Sequence, residues 1–349
     1  MPNHKLVRKD HLVVIAVIST LVISISSISN YGYFGFTKVA YGQPDPNQMN
    51  SNTTNSLNIQ NIPLKKVHVG DIDIAYKIFG KGYPIILFNG ASDNMNAWDP
   101  SFLTGISSNH TVIVFDSRGI GNTTIGTKPY SMQQLANDTA GLLDALKIPK
   151  TDVMGYSLGS FIAQAFTINH PEKVNSLTLV ASTCGGKDGI DQPPEFRKLQ
   201  ADVVNKSQHN IPITQELKAL NVASLGSGWI KLHPESLEGF ENITSLQQLK
   251  SGLPPAIANN QNNVGHAWTA TNWSGACDEE AKLAKSTLVI AGTDDNDYVP
   301  HGNALILASK IPGAWLVQIK NAGHAVMNQY PEEIGKIMNT FLSTATPNN

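Results

Sequence analysis

Seven short apolar runs frame this chain: Ile74–Phe79, Pro84–Asn89, Thr111–Asp116, Thr151–Tyr156, Ser176–Ser182, Ser286–Gly292 and Ala314–Ile319. Several carry no polar face, as expected of strands buried on both sides. Segments of helical period separate them. In "SMQQLANDTAGLLDALKI" the residues Leu135, Leu142, Leu143 and Leu146 recur at helical spacing behind Ser131, a serine placed to cap the first turn. "GSFIAQAFTINHP" and "EEIGKIMNTFL" have the same period. Strands that alternate with helices restrict the chain to an α/β architecture, a mostly parallel central sheet with helices on both faces. The rhythm stops between Gly185 and about Ala284, a stretch that holds Trp229, Trp268 and Trp273 but no clear strand–helix unit. Residues 64–184 and 285–345 therefore read as two parts of one core, and residues 185–284 as a cap inserted at one end of the sheet.

The N-terminal residues read differently. Lys5, Arg8 and Lys9 precede an uncharged apolar run from Leu12 to Ile28, the layout of an export signal. Small residues at Ala40 and Gly42 suit cleavage after Gly42, which makes residues 1–42 a signal peptide. The run is long for a signal and short for a spanning helix of about 20 residues, so an uncleaved membrane anchor through residues 12–28 is the alternative. Either way the body is expected outside the cytoplasm, secreted or held at the outer face of the membrane. Residues 43–63 are rich in Asn, Pro and Ser and poor in large apolar side chains, which reads as a disordered tether. The formal net charge of -2 gives no broad attraction to nucleic acid. With only Cys184 and Cys277, the chain has no four-cysteine zinc site.

Within "DVMGYSLGSFIAQAF", Ser157 stands between Gly155 and Gly159, after an apolar run and before a helix-like one. The Gly-x-Ser-x-Gly spacing alone is a weak signal, and its context decides. Between a strand and a helix it describes a sharp turn that lifts the serine hydroxyl above the sheet edge. The backbone N–H of Leu158, at the helix N-terminus, then faces the place where a carbonyl oxygen becomes an oxyanion. A serine at neutral pH needs a base, and this turn implies the chain order serine, acid, histidine. The C-terminal part supplies both. Asp294, Asp295 and Asp297 follow one apolar run, and His324, preceded by Gly323, follows the next. His301 is the other histidine downstream of the acids.

With these residues in place, the chain resembles the α/β-hydrolase superfamily, in the branch of esterases, enol-lactonases, proline iminopeptidases and non-haem haloperoxidases. The resemblance runs roughly from Leu64 to Leu342. It is carried by "GYSLG", by "VFDSRGIGNTT", by "HPEKVNSLTLVAST" and by the tail "GTDDNDYVP…IPGAWLVQIKNAGHAVMNQYPEE". It implies an α/β-hydrolase fold with Ser157 as nucleophile, His324 as base and an Asp of the loop after Gly292 as acid. The family spacing selects Asp295, although Pro300 stands one residue further on than the pattern expects, which keeps Asp297 and Asp294 open. Where the family has His-Gly this chain has "FNGASDN", and the Ala91 N–H takes the second oxyanion-hole position beside Leu158. Ser160 replaces a glycine common after the turn, a change expected to affect packing alone.

The expected activity is extracytoplasmic cleavage of an ester, lactone or related acyl bond of a small molecule. The alternatives are perhydrolase or haloperoxidase chemistry on the same triad, aminopeptidase activity, or a binding module that only keeps the fold. An aminopeptidase needs an acid near the pocket, and Glu195, Glu216, Glu235, Glu238 and Glu241 lie in the cap, where solvated helix faces also account for them. No cofactor is implied. No His-Glu-x-x-His metal motif occurs, and Thr124 stands where a dinucleotide-binding glycine should be. Cys184 and Cys277 mark the two ends of the cap, which must lie close together at the sheet edge. In an oxidising compartment they can close a disulfide. The alternative is two small buried thiols.

Overall fold

The computed structural model describes residues 57–91, 93–209, 211–237 and 255–345. The strands are β1 (Lys65–Val69), β2 (Ile72–Gly80), β3 (Tyr83–Phe88), β4 (His110–Phe115), β5 (Thr151–Tyr156), β6 (Val174–Val180), β7 (Ser286–Gly292) and β8 (Trp315–Ile319). They form one sheet in the order β1-β2-β4-β3-β5-β6-β7-β8. β2 runs antiparallel to both β1 and β4, and all other pairs are parallel. All seven expected runs are strands. β1 has no counterpart among them. Its "KKVHV" turns Lys66 and His68 to solvent and packs only Val67 and Val69 on the core. That polar composition suits the exposed edge of a sheet and hides the strand from a search for apolar runs.

Alternation along β3 shows how the sheet is covered. Ile86 and Phe88 enter one apolar cluster, Ile85 and Leu87 the other, and all four are buried. On one face lie α1 (Pro100–Ser107) and α11 (Pro331–Ala345), which bring Phe102, Leu103, Met338 and Phe341. On the other lie α2 (Met132–Ala145), α3 (Leu158–Asn169), α8 (Cys277–Leu283) and α9 (Gly302–Lys310). Ser131 caps α2 as expected, its hydroxyl accepting the Gln134 N–H at 3.1 Å.

Between β6 and β7 the described residues form no strand. They build α4 (Pro194–Gln208), α5 (Thr214–Leu225), α6 (Ser227–Leu232), α7 (Pro255–Thr269) and α8. Phe196, Val203, Ile213, Leu217 and Leu220 give this helical layer a small core of its own, joined by Tyr298 from the loop after β7. Cys184 and Cys277 are disulfide-bonded across a sequence separation of 93, with their Cα atoms 5.2 Å apart.

The export or anchor segment lies outside the described residues, as does most of the expected tether. Among the described residues no helix is long and apolar enough to cross a membrane. The chain is already packed at Leu57, so the tether expected up to residue 63 ends earlier. Ile59 is buried in the core, and its carbonyl accepts from the Lys77 ammonium at 2.8 Å. Leu57 and Ile62 pack against the same cluster, so spaced apolar side chains dock this otherwise polar stretch.

Candidate active site

The C-terminal ends of β3, β5, β7 and β8 meet at one edge of the sheet, where open parallel sheets hold their ligands. β5 ends at Tyr156, and α3 begins at Leu158. The residue between, Ser157, has φ 54° and ψ −126°, a left-handed conformation that costs a non-glycine residue about 1–3 kcal/mol. The flanking glycines permit it. A Cβ on Gly155 would come 2.4 Å from the Gly159 carbonyl oxygen, and one on Gly159 would come 2.2 Å from that of Phe88. Strand, turn and helix backbones pass too close for any side chain at either place.

A serine before a helix ordinarily caps it, but the Ser157 side chain makes no such bond. Its Oγ lies 2.9 Å from His324 Nε2. The other ring nitrogen, Nδ1, lies 2.7 Å from Asp295 Oδ2. A carboxylate only accepts, so Nδ1 carries the proton, and Nε2 presents its lone pair to the serine hydroxyl. Asp295 and His324 are 1% and 4% exposed, so this pair works in a low-dielectric setting.

The structure separates the three candidate acids. Asp295 reaches the histidine, and its second oxygen accepts the Val299 N–H at 3.1 Å. Asp294 accepts the Gly228 N–H at 2.7 Å and so ties the acid loop to α6. Asp297 makes no bond to the histidine. Burial, and then the negative charges of Asp295 and Glu195, push its carboxyl above the usual range. His301 precedes α9, and its backbone N–H donates to the Asp295 carbonyl.

The histidine loop is braced from several sides. Tyr156, next to the serine, donates its hydroxyl to the His324 carbonyl at 3.0 Å. Gln329 accepts the Gly323 N–H and donates to the Leu225 carbonyl. The Ala325 N–H donates to the Ser224 carbonyl. His324 thus hangs on the end of α5, in the helical layer.

Tyr298 was not singled out in the sequence. Its ring stacks on His324, with centroids 4.9 Å apart and planes 21° from parallel, and makes a T-shaped contact with Phe196, centroids 4.7 Å apart. The only sequence signal was the extra residue between Asp295 and Pro300. Ser160 also does more than fill space. Its buried hydroxyl lies 2.6 Å from the Ser157 carbonyl and 2.7 Å from Ser182 Oγ, which also accepts from Gln164 Nε2 at 2.9 Å. This network fixes the turn from below.

In "VFDSRGIGNTT" the charged residues brace the fold. Asp116 accepts the N–H groups of Met95 and Asn122. Arg118, 1% exposed, grips Asp138 and Asp71, each with two hydrogen bonds.

Above Ser157 and His324 lies a cavity of about 140 Å³, bounded on the sheet side by Ala91, Leu158, Phe161 and Val299. It is similar in size to engineered cavities of about 150 Å³ that hold benzene. Leu158 is the first residue of α3, so its N–H has no partner within the helix. Among the described residues no group of three or more His, Cys, Asp or Glu is arranged to hold a metal ion.

Comparison with known proteins identifies the family. Residues 83–328 match the family model described as the alpha/beta hydrolase fold. A protein of Azorhizobium caulinodans carrying the name carbamate hydrolase RutD is 25% identical over 78% of this chain and 96% of its own length. One from Mycobacterium tuberculosis carrying the name non-heme bromoperoxidase BpoC is 27% identical over 78% of this chain and 98% of its own. Among solved structures, the meta-cleavage product hydrolase CumD of Pseudomonas fluorescens superposes with a TM-score of 0.64 at 20% identity, over 82% of this chain and 99% of that one.

Proposed function

Because the chain belongs to the alpha/beta hydrolase family, we propose that Ser157, His324 and Asp295 form the catalytic triad of an acyl-bond hydrolase. The chain is a hydrolase of ester-, carbamate- or amide-type bonds. The observation that carries the finer reading is the relay from Asp295 Oδ2 through His324 to Ser157 Oγ, open to a cavity.

Ser157 Oγ attacks the substrate carbonyl carbon while His324 Nε2 takes its proton. The oxygen gains the negative charge, and the N–H groups of Ala91 and Leu158 receive it. The tetrahedral intermediate collapses, and the leaving group departs with the proton returned by His324. An ester remains on Ser157. Water, deprotonated by the same nitrogen, attacks that ester and releases the acid. Asp295 keeps the Nδ1 proton in place and stabilises the imidazolium formed in each half-reaction.

Esters and lactones fit better than peptides with a free amine. Of the five cap glutamates, Glu238 and Glu241 lie outside the described residues, and the other three do not line the cavity. Glu195 is exposed, Glu216 pairs with Lys206, and Glu235 with His233. The acid that does line the cavity, Asp191, pairs with Arg197. The bromoperoxidase-named relative supports a second reading, in which hydrogen peroxide resolves the acyl-enzyme and gives a peracid.

The proposal extends to location. The basic and apolar N-terminal residues favour export or anchoring outside the cytoplasm, and the Cys184–Cys277 bridge suits an oxidising compartment. A panel of p-nitrophenyl esters of graded chain length, lactones, aminoacyl anilides and a peroxide-dependent bromination assay tests the activity. Turnover of esters or lactones above the anilides is expected. Selective cleavage of the anilides would refute the choice.

A further inference from the structure

The cavity has two unlike walls. Toward the sheet it is apolar, as described. The opposite side, from the helical layer, is built mainly of polar residue types, Arg197 and Gln200 on α4 and Gln261, Asn262, His266 and Thr269 on α7, with Ile190 and Gly265 among them. On α7 these residues recur at helical spacing along one face, and the same side of the helix buries Ile257, Ala258 and Val264. An amphipathic helix ordinarily turns its apolar face inward. Here carboxamides stand on the buried face, Gln261 and Asn262 being 4% and 3% exposed.

Gln200 completes the pattern. It is 1% exposed and lines the cavity, and its Oε1 has no hydrogen-bond partner. A buried carbonyl oxygen without a donor is costly, and in a residue that lines a cavity a ligand can supply the missing donor. The charges on this side are already matched, because Arg197 and Asp191 pair with each other. Gln200 therefore offers a neutral acceptor beside a matched ion pair.

We infer that this wall is a subsite for a neutral hydrogen-bond donor, and that the substrate carries a hydroxyl or amide N–H on the limb lying against α4 and α7, with Gln200 Oε1 as its acceptor. The inference rests on the acyl-transfer reading and narrows it from esters in general to polar, uncharged ones. Plain alkyl esters leave Gln200 unsatisfied. A carboxylate finds no unpaired cation there, and an ammonium no unpaired anion. Gln200 decides specificity and takes no part in the bond chemistry.

The test uses matched ester pairs that differ only by a hydroxyl, one series on each side of the scissile bond. p-Nitrophenyl hexanoate is compared with its 3-hydroxy and 6-hydroxy forms, and hexyl acetate with 3-hydroxyhexyl and 6-hydroxyhexyl acetate. Wild type should prefer a hydroxylated member of at least one series by roughly tenfold or more in kcat/KM, the value of one buried hydrogen bond. Gln200→Leu should remove that preference, and Gln200→Met serves the same purpose if the leucine variant does not fold. Circular dichroism and fluorophosphonate labelling of Ser157 show whether each variant is folded with its serine turn intact. No preference in either series by wild type overturns the inference, as does a preference that survives both substitutions. Failure of the acyl-transfer reading itself would look different, because wild type would then turn over no member of either series.

Discussion

His324 Nδ1 and Asp295 Oδ2 lie 2.7 Å apart although 29 residues separate them in sequence, and both are buried. The contact fixes which tautomer the histidine adopts and which way its other nitrogen faces. Asp295→Asn replaces the acceptor by a group that can donate, which favours the wrong tautomer, and turnover should fall by about 10⁴ with the fold retained. Asp297→Asn should leave turnover within a few-fold of wild type. Steady-state kinetics with circular dichroism on both variants checks this, and a severe loss in Asp297→Asn alone would reassign the acid.

Tyr298 lies flat against the His324 ring. On the proposed mechanism, the imidazolium formed during turnover gains cation–π stabilisation from that face, about 0.5–2 kcal/mol. Tyr298→Phe keeps the ring and should retain most of kcat. Tyr298→Leu should lower kcat by roughly three- to thirty-fold. Equal kcat in the two variants would mean that the stacking contributes only to packing.

The cystine at the base of the helical layer predicts a particular chemistry. The intact mass should rise by two hydrogens on reduction under denaturing conditions, and no thiol should alkylate before it. A closed loop of this length stabilises by about 4.6 kcal/mol in the chain-entropy model. The Cys184→Ser, Cys277→Ser double variant should lose stability on that order in denaturant titration. Two alkylatable thiols without reductant would rule the bridge out.

Glu280, on α8 three residues after Cys277, is buried with neither carboxyl oxygen hydrogen-bonded. Burial pushes its pKa from 4.5 up to about 8. A carboxyl raised in this way binds its proton more tightly in the folded state. Its contribution to stability is best below pH 4.5, falls as pH rises toward 8, and is fully lost above that. The loss amounts to a few kcal/mol, at about 1.4 kcal/mol for each pH unit of the window. Glu280→Gln should be more stable than wild type at pH 8.5, and the advantage should shrink at pH 5. Parallel pH profiles of the denaturation midpoint would contradict this.

What could be read from the sequence, and what could not, has physical causes. The sheet was legible because its interior strands are apolar on both faces, and the Ser157 turn because only glycines fit where three backbones converge. β1 escaped notice because an edge strand can be polar. The choice among Asp294, Asp295 and Asp297 stayed open because side-chain direction in that loop depends on the whole course from β7 to α9. Gln329 and Gln200 carry no local signature, and Tyr298 has only the extra residue before Pro300. Their places follow from how the helical layer sits on the sheet, which spacing along the chain does not encode. Ser160 was read as a packing change because its partner Ser182 is distant in sequence.

The central claim is that Ser157 is the nucleophile, and covalent labelling tests it most directly. The protein is treated with a fluorophosphonate probe and the labelled peptide is mapped by mass spectrometry. The account predicts one adduct, on Ser157, formed orders of magnitude more slowly in His324→Ala and absent from Ser157→Ala together with ester turnover. An adduct on another residue, or labelling and turnover that persist in Ser157→Ala, would contradict it.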